Sequence, residues 1–283
     1  AAPSGGYAAV NLLVENNESD AEDYGSIIDA FNQDRKSIDR HVTQEAHEII
    51  EGDPELKNRK STVIYNPKWM KGIVGIVASR LIETYFRPTV VLTQSNGFAT
   101  GSARSVPGFD LYQAVESCAD LLENFGGHMY AAGLTMKPEN VVEFTRRFNA
   151  YVEENIDPQM LIPQVDVDAE LLFSEITPAF RRELKRFEPF GPGNAAPIFA
   201  TRCVSNRGDA KLVGAECEHL RMDLTQRQKP NTTLQCIAFQ QPEHFEWIRS
   251  GRPVDVCYQI VENHYRGTVS TQLRIKDIKR VEK

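Results

Sequence analysis

Two short clusters carry the residues best suited to chemistry, and both are suited to holding an anion rather than to attacking a bond. The first is Gly101-Ser102-Ala103-Arg104-Ser105 and the second is Gly126-Gly127-His128. Glycines let backbone N–H groups come close to a phosphate. Arginine adds a planar fork of donors, and serine hydroxyls and an imidazole add directional hydrogen bonds. Ser102, Arg104, Ser105, Gly126, Gly127 and His128 are therefore the candidate substrate-binding residues, a phosphate cradle without a nucleophile. The competing structural reading is that Gly-Gly stops a helix and that a lone histidine serves packing.

The elements between and around the clusters must position them. Apolar residues at Leu111, Ala114, Val115, Cys118, Leu121, Leu122 and Phe125 fall at the three-and-four spacing of one helical face. This spacing predicts an amphipathic helix of about four turns, stopped by Gly126-Gly127. The two clusters then lie at opposite ends of one helix, and only tertiary packing can join them. Residues 61–155 as a whole alternate strand and helix, with strands at 61–65, 89–93, 99–105 and 134–136 and helices at 72–85 and 138–155. The expected fold is an α/β domain, a mixed sheet with helices. No P-loop or dinucleotide fingerprint occurs in it.

Upstream, a polar segment reaches Glu18, and residues 20–51 then contain no proline and one glycine. Apolar residues recur there at Ile28, Phe31, Ile38, Val42, Ala46 and Ile49. Such a helix forms a rod of about 45 Å, long enough to connect two domains. Gly52-Asp53-Pro54 ends it. Downstream, a linker with Pro158 and Pro163 leads to a short helix at 178–187 and the turn-rich Phe190-Gly191-Pro192-Gly193-Asn194. Strands are then predicted at 198–204, 210–213, 219–224, 233–239, 254–261 and 268–278, a pattern that suits an all-β OB-fold barrel. Arg207, Lys211, Arg221, Arg266 and Arg274, with Phe239, Tyr258 and Tyr265, are the residue types a single-strand groove needs. Lys211, Arg221, Tyr258 and Arg274 are its candidate contacts, although strand aromatics more often belong to the core.

With 283 residues, 41% of them hydrophobic, the chain can bury a sizeable core and suggests about two domains. The net charge of −7 argues against bulk nucleic-acid binding, but the charge is unevenly spread. Residues 1–60 hold 6 basic against 13 acidic side chains, residues 61–196 hold 12 against 16, and residues 197–283 hold 14 against 10. Only the C-terminal segment is locally basic. Cys118, Cys203, Cys217, Cys236 and Cys257 are odd in number and never form a C-x-x-C pair, which favours neither disulfides nor zinc and fits a reducing cytoplasm. No apolar run approaches the length of a membrane span, and no signal peptide is expected. The chain opens on Ala1 rather than Met and is expected to be a fragment.

The run Trp69-Met70-Lys71-Gly72-Ile73-Val74-Gly75-Ile76-Val77-Ala78-Ser79-Arg80, then Arg87-Pro88-Thr89-Val90-Val91-Leu92, the two clusters and Ala131-Ala132-Gly133-Leu134-Thr135 resemble the DHH-associated domain of the RecJ exonucleases. These belong to the DHH phosphoesterase superfamily. Phe187-Glu188-Pro189-Phe190-Gly191-Pro192-Gly193-Asn194, Pro197-Ile198-Phe199 and His219-Leu220-Arg221 resemble the entry to that family's OB-fold. The similarity runs in the same order over nearly the whole chain.

The resemblance implies a single-strand-specific 5′-to-3′ DNA exonuclease of repair and recombination. In that family two Mn2+ or Mg2+ ions, held by an N-terminal DHH domain, activate the attacking water. The DHH-associated domain holds the DNA backbone and the OB-fold extends the track. It assigns Arg104 as phosphate clamp, His128 as a donor near the scissile phosphate, and Gly126 and Gly127 as close-approach backbone. The implied organisation is residues 1–19 as the tail of a missing DHH domain, 20–58 as connector helix, 59–157 as DHH-associated domain and 158–283 as OB-fold. No Asp-His-His triplet is present, and His41 and His47 are expected as surface residues of the long helix. No metal, cofactor or catalytic residue is therefore expected here, and the chain is expected to bind DNA without cutting it. Met70 and Ala103 stand where many relatives have histidine and glycine. The resemblance also implies single-strand-binding protein as a partner; a monomer is expected. Two alternatives remain, a DHH phosphoesterase acting on short oligonucleotides or cyclic dinucleotides, and a non-catalytic DNA-binding replication scaffold.

Overall fold

The first two elements are helices packed on each other, α1 (Pro3–Val14) and α2 (Glu18–Gly52). The segment before Glu18, expected to be polar, is largely helical and exposes Tyr7, Val10 and Leu13. Asn17 starts α2 by accepting from the Ser19 N–H, and Glu18 and Asp20 complement the positive end of the helix dipole. Asp53 ends it and caps α3 (Pro54–Asn58) with its carboxylate, Pro54 supplying the first-turn proline. The computed structural model describes residues 3–226, 232–265 and 267–281. Arg266 lies outside them, as does the side chain of Tyr265.

A five-stranded mixed sheet follows, with order β1-β2-β3-β5-β4. Strand β1 (Thr62–Tyr65) runs parallel to its neighbour through the crossover helix α4 (Val74–Tyr85), and β2 (Thr89–Ser95) then turns into antiparallel β3 (Phe98–Arg104). Alternation sends Ile64 and Val91 to one face, beneath Val42, Ala46 and Ile50 of α2 and Val77 and Leu81 of α4. Val63, Val90 and Leu92 go to the other face, beneath α5 (Leu111–Glu116) and, later in the chain, the helix carrying Phe144 and Phe148. Arg87, buried at the edge, donates to the carbonyls of Leu56, Lys57 and Arg59 and to Thr62 Oγ1, tying α3 to the sheet. Burial pulls its guanidinium below the ordinary arginine value. His47 is partly buried rather than a surface residue. Its Nδ1 lies 3.1 Å from the Tyr85 hydroxyl, and burial lowers its pKa.

The predicted helix from Leu111 to Phe125 does not form. After α5 and a single 3-10 turn at Ala119–Leu121, the chain becomes β4 (Leu122–His128), joined by a two-residue hairpin loop to β5 (Ala131–Met136). Ala114, Val115 and Cys118 still point into the core, whereas Leu122 and Phe125 pack on it from a strand. The unit closes with α6 (Val141–Asn155), whose Val141, Phe144, Phe148 and Val152 make one buried stripe.

The second unit, residues 164–283, is a barrel of β6 (Ala169–Glu170), α7 (Pro178–Lys185), β7 (Phe199–Asn206), β8 (Lys211–Val213), β9 (His219–Gln226), β10 (Thr233–Ala238), α8 (Phe245–Arg249), β11 (Val254–Tyr265) and β12 (Thr268–Arg280). Its sheet order is β6-β7-β11-β12-β10-β9-β8, and pairing of β7 with β9 closes it. Leu220, Met222, Leu224, Cys236, Leu273 and Ile275 fill the interior. This is the five-strand connectivity of an OB-fold with two short strands added.

Candidate nucleic-acid interface

Strand pairing brings the two clusters together. β5 lies between β3 and β4, so Arg104, Ala131 and His128 form one transverse row and Ser102, Gly133 and Gly126 the next. Partners in a row point to the same face, so all six share the face opposite buried Ala103 and Ala132. Two strand spacings put Arg104 and His128 about 10 Å apart, a span that phosphate and sugar can bridge. Gly126, Gly127, His128 and Gly133 are exposed, and a Cβ on Gly126 would meet nothing within 4 Å. The middle of the platform is flat backbone.

Arg104 is half-buried and makes no ion pair among the described residues. Its Nη1 donates to Ser102 Oγ at 2.9 Å and to the Ala103 carbonyl at 2.8 Å, leaving the rest of the fork available. Ser102 accepts that bond, so its own proton can go to an anion. His128 Nδ1 accepts from the Tyr130 N–H at 3.2 Å, which in the neutral ring puts the proton on Nε2, a donor. Ser105 differs from expectation. Its hydroxyl donates to the Phe109 carbonyl at 2.8 Å and its N–H to the Tyr130 carbonyl, so it serves the turn instead of offering a donor. Gly127 also differs from Gly126, because its Cβ would lie 2.2 Å from the Ala131 oxygen and 2.6 Å from the Ala132 Cα. Its requirement is internal to the β4–β5 pair.

The barrel carries its own face. Lys211 pairs with Arg221, Arg221 with Ile237, and Ile237 with Arg274, so the three cations stand in one row on the outside of β8, β9, β10 and β12. Beside them Phe239, 46% exposed, is held by His219 at 4.9 Å and by the Arg274 guanidinium at 5.7 Å. Asp223 lies one row along on the same face of β9. Burial, then the neighbouring Asp209, push its carboxyl above the usual range. Tyr258 does not belong to this face. It is fully buried among Phe173 and Phe199, its hydroxyl bonds Thr201 Oγ1 at 2.7 Å, and burial pushes its pKa up to about 12. Tyr258→Phe is accordingly expected to cost about 1 kcal/mol in denaturant unfolding and to leave DNA affinity unchanged.

Among the described residues, no three His, Cys, Asp or Glu side chains gather to hold a metal ion, and no helix is long and apolar enough to cross a membrane. Residues 58–154 match the DHHA1 domain model and residues 167–277 the RecJ OB domain model. The single-stranded-DNA-specific exonuclease RecJ of Bacillus subtilis (strain 168) is 32% identical over 272 residues, covering 95% of this chain and 34% of that protein. The chain belongs to the RecJ family. RecJ of Escherichia coli (strain K12) is 31% identical over 282 residues, which cover 95% of this chain and 47% of that protein. The crystal structure of RecJ from Thermus thermophilus in complex with Mg2+ matches with a TM-score of 0.75 at 26% identity, over 98% of this chain and 41% of that one. The chain thus spans between a third and a half of the length of the RecJ relatives it matches.

Gly75 at the edge of the platform and Gly133 at its centre carry no signal as candidates in the sequence. Gly133 becomes meaningful only through its pairing with both Ser102 and Gly126.

Proposed function

We propose that this chain is the single-stranded-DNA-binding part of a RecJ exonuclease that degrades DNA from 5′ to 3′ in repair and recombination. The observation that carries the reading is the β3–β5–β4 face beside α4, where Ser102 and Arg104 at the helix edge and exposed His128 surround a glycine floor. Backbone and arginine donors on a flat surface suit phosphates, and phosphate contacts suit sequence-independent binding. The outer face of the barrel adds Lys211, Arg221 and Arg274 for phosphates and Phe239 for stacking. DNA lacking a complementary strand leaves its bases free to stack on such an aromatic.

In this reading residues 1–19 and the long helix connect to a DHH domain that holds the catalytic metal. The Thermus RecJ crystals are complexes with Mg2+ and with Mn2+, which supports divalent-metal use by the intact enzyme. Among the described residues no cluster of His, Cys, Asp or Glu suits that metal, and the contribution proposed for this chain is to bind and orient the strand. The intact enzyme acts in the cytoplasm, with single-strand-binding protein as a partner.

The test is fluorescence anisotropy of a labelled single strand and a matched duplex at two salt concentrations, with nuclease activity followed alongside. Salt-sensitive binding that favours the single strand, without cleavage by this chain, is expected. Equal affinity for duplex would overturn the reading. Phe239→Ala is expected to weaken single-strand binding about tenfold without altering the salt slope, as loss of one stacking contact should.

A further inference from the structure

We infer that Gly75 is a positioning residue for Arg104: the side chain it lacks leaves the slot in which the guanidinium lies, and so fixes where the fork points. The inference rests on the reading of Arg104 as a phosphate ligand. Gly75 is the second residue of α4. Glycine is a poor helix former, and this one has no left-handed backbone to justify it. The reason must lie in space. A Cβ built on Gly75 falls 3.1 Å from Arg104 Nη2, 3.2 Å from Ser102 Oγ and 3.5 Å from Ser102 Cβ.

What stands in the way matters more than how close it is. At Gly101 and Gly127 an added Cβ meets backbone, so the fold itself resists. At Gly75 the three nearest atoms all belong to the side chains of Ser102 and Arg104, two of the candidate ligands. One of the three must yield, and α4 cannot. Val77, Ala78 and Leu81 hold it in a fully buried core, and Arg80 is paired at 2.7 Å with Asp39 of α2, a carboxylate 1% exposed. The guanidinium, a flexible end with one edge still unbonded, is the group that moves. Its Nη1 bonds to Ser102 and Ala103 set its present direction, and displacement from the Gly75 side lengthens and tilts them, more for leucine than for alanine.

The experiment is a double-mutant cycle on the whole chain: Gly75→Ala and Gly75→Leu, each alone and combined with Arg104→Ala. Alanine and leucine are both good helix formers, so α4 is retained. Single-strand anisotropy across salt and thermal unfolding are read for every variant. Gly75→Ala is expected to weaken binding about threefold and Gly75→Leu about tenfold, the latter lowering the salt slope by about one, as loss of a phosphate contact does. In the Arg104→Ala background neither should weaken binding further. There Gly75→Ala should also raise the midpoint by about 2 °C, because helix propensity is then opposed only by the Ser102 hydroxyl, freed from Arg104 to turn away. Equal losses with and without Arg104, or wild-type affinity for Gly75→Leu, would overturn the inference while leaving Arg104 as a ligand. Wild-type affinity for Arg104→Ala itself would remove both. Should Gly75→Leu not fold, the alanine arm decides alone.

Discussion

Gly127→Ala is expected to separate β4 from β5, with a loss of about 3 kcal/mol in denaturant unfolding and of the platform's share of single-strand binding, leaving only what the barrel face supplies. The two obstacles are backbone atoms of the partner strand, the Ala131 oxygen at 2.2 Å and the Ala132 Cα at 2.6 Å from the new Cβ. No rotamer change can relieve them, and φ at Gly127 is +155°, a region L-residues rarely adopt. Shifting β4 would carry His128 and Gly126 out of their rows with Ala131 and Gly133, so the platform fails with the strand. Gly126→Ala is the control. Its Cβ meets nothing within 4 Å, so the variant should unfold like wild type. It should nevertheless bind DNA about threefold more weakly, because a methyl group then stands on the floor where the backbone of the ligand must approach. Normal stability for Gly127→Ala would show that β4 is not held where the pairing places it.

The contrast between these adjacent glycines marks what the sequence could convey. The alternation of strand and helix across residues 61–155, the long helix and the barrel strands were legible because hydrophobic period and turn residues are local properties. Leu111 to Phe125 was not. Its apolar residues keep a helical spacing, but Leu122 and Phe125 reach the core from a strand, and strand pairing is a tertiary fact that no local window carries. Reading Gly126-Gly127 as a helix stop followed from that error. The chemistry of the clusters was legible from residue type, yet their meeting depended on β5 lying between β3 and β4. Ser105 looked equivalent to Ser102, and only the Phe109 carbonyl separates them. Tyr258 looked equivalent to Phe239 because composition does not distinguish the inside of a barrel from its outside. The alternation around it does: Val256 and Tyr258 face inward.

Arg104→Ala carries the proposal furthest. The arginine has no carboxylate partner among the described residues, so removing it breaks no ion pair and takes one donor from the half-buried Ser102 hydroxyl and one from the carbonyl of buried Ala103. Stability should therefore fall by no more than about 1 kcal/mol, the net worth of one such hydrogen bond. Binding should not be spared. A charge-assisted contact to phosphate is worth about 2 kcal/mol, so affinity for a single strand should fall about 30-fold, with the salt slope reduced by about one. Arg104→Lys separates charge from geometry: it restores the slope but not the full affinity, because an ammonium cannot present two parallel donors. The loss should be uniform across sequences, since a phosphate contact positions the strand without reading it. A sequence-dependent loss would move Arg104 from the backbone to the bases, and the platform would then need a different ligand at its centre.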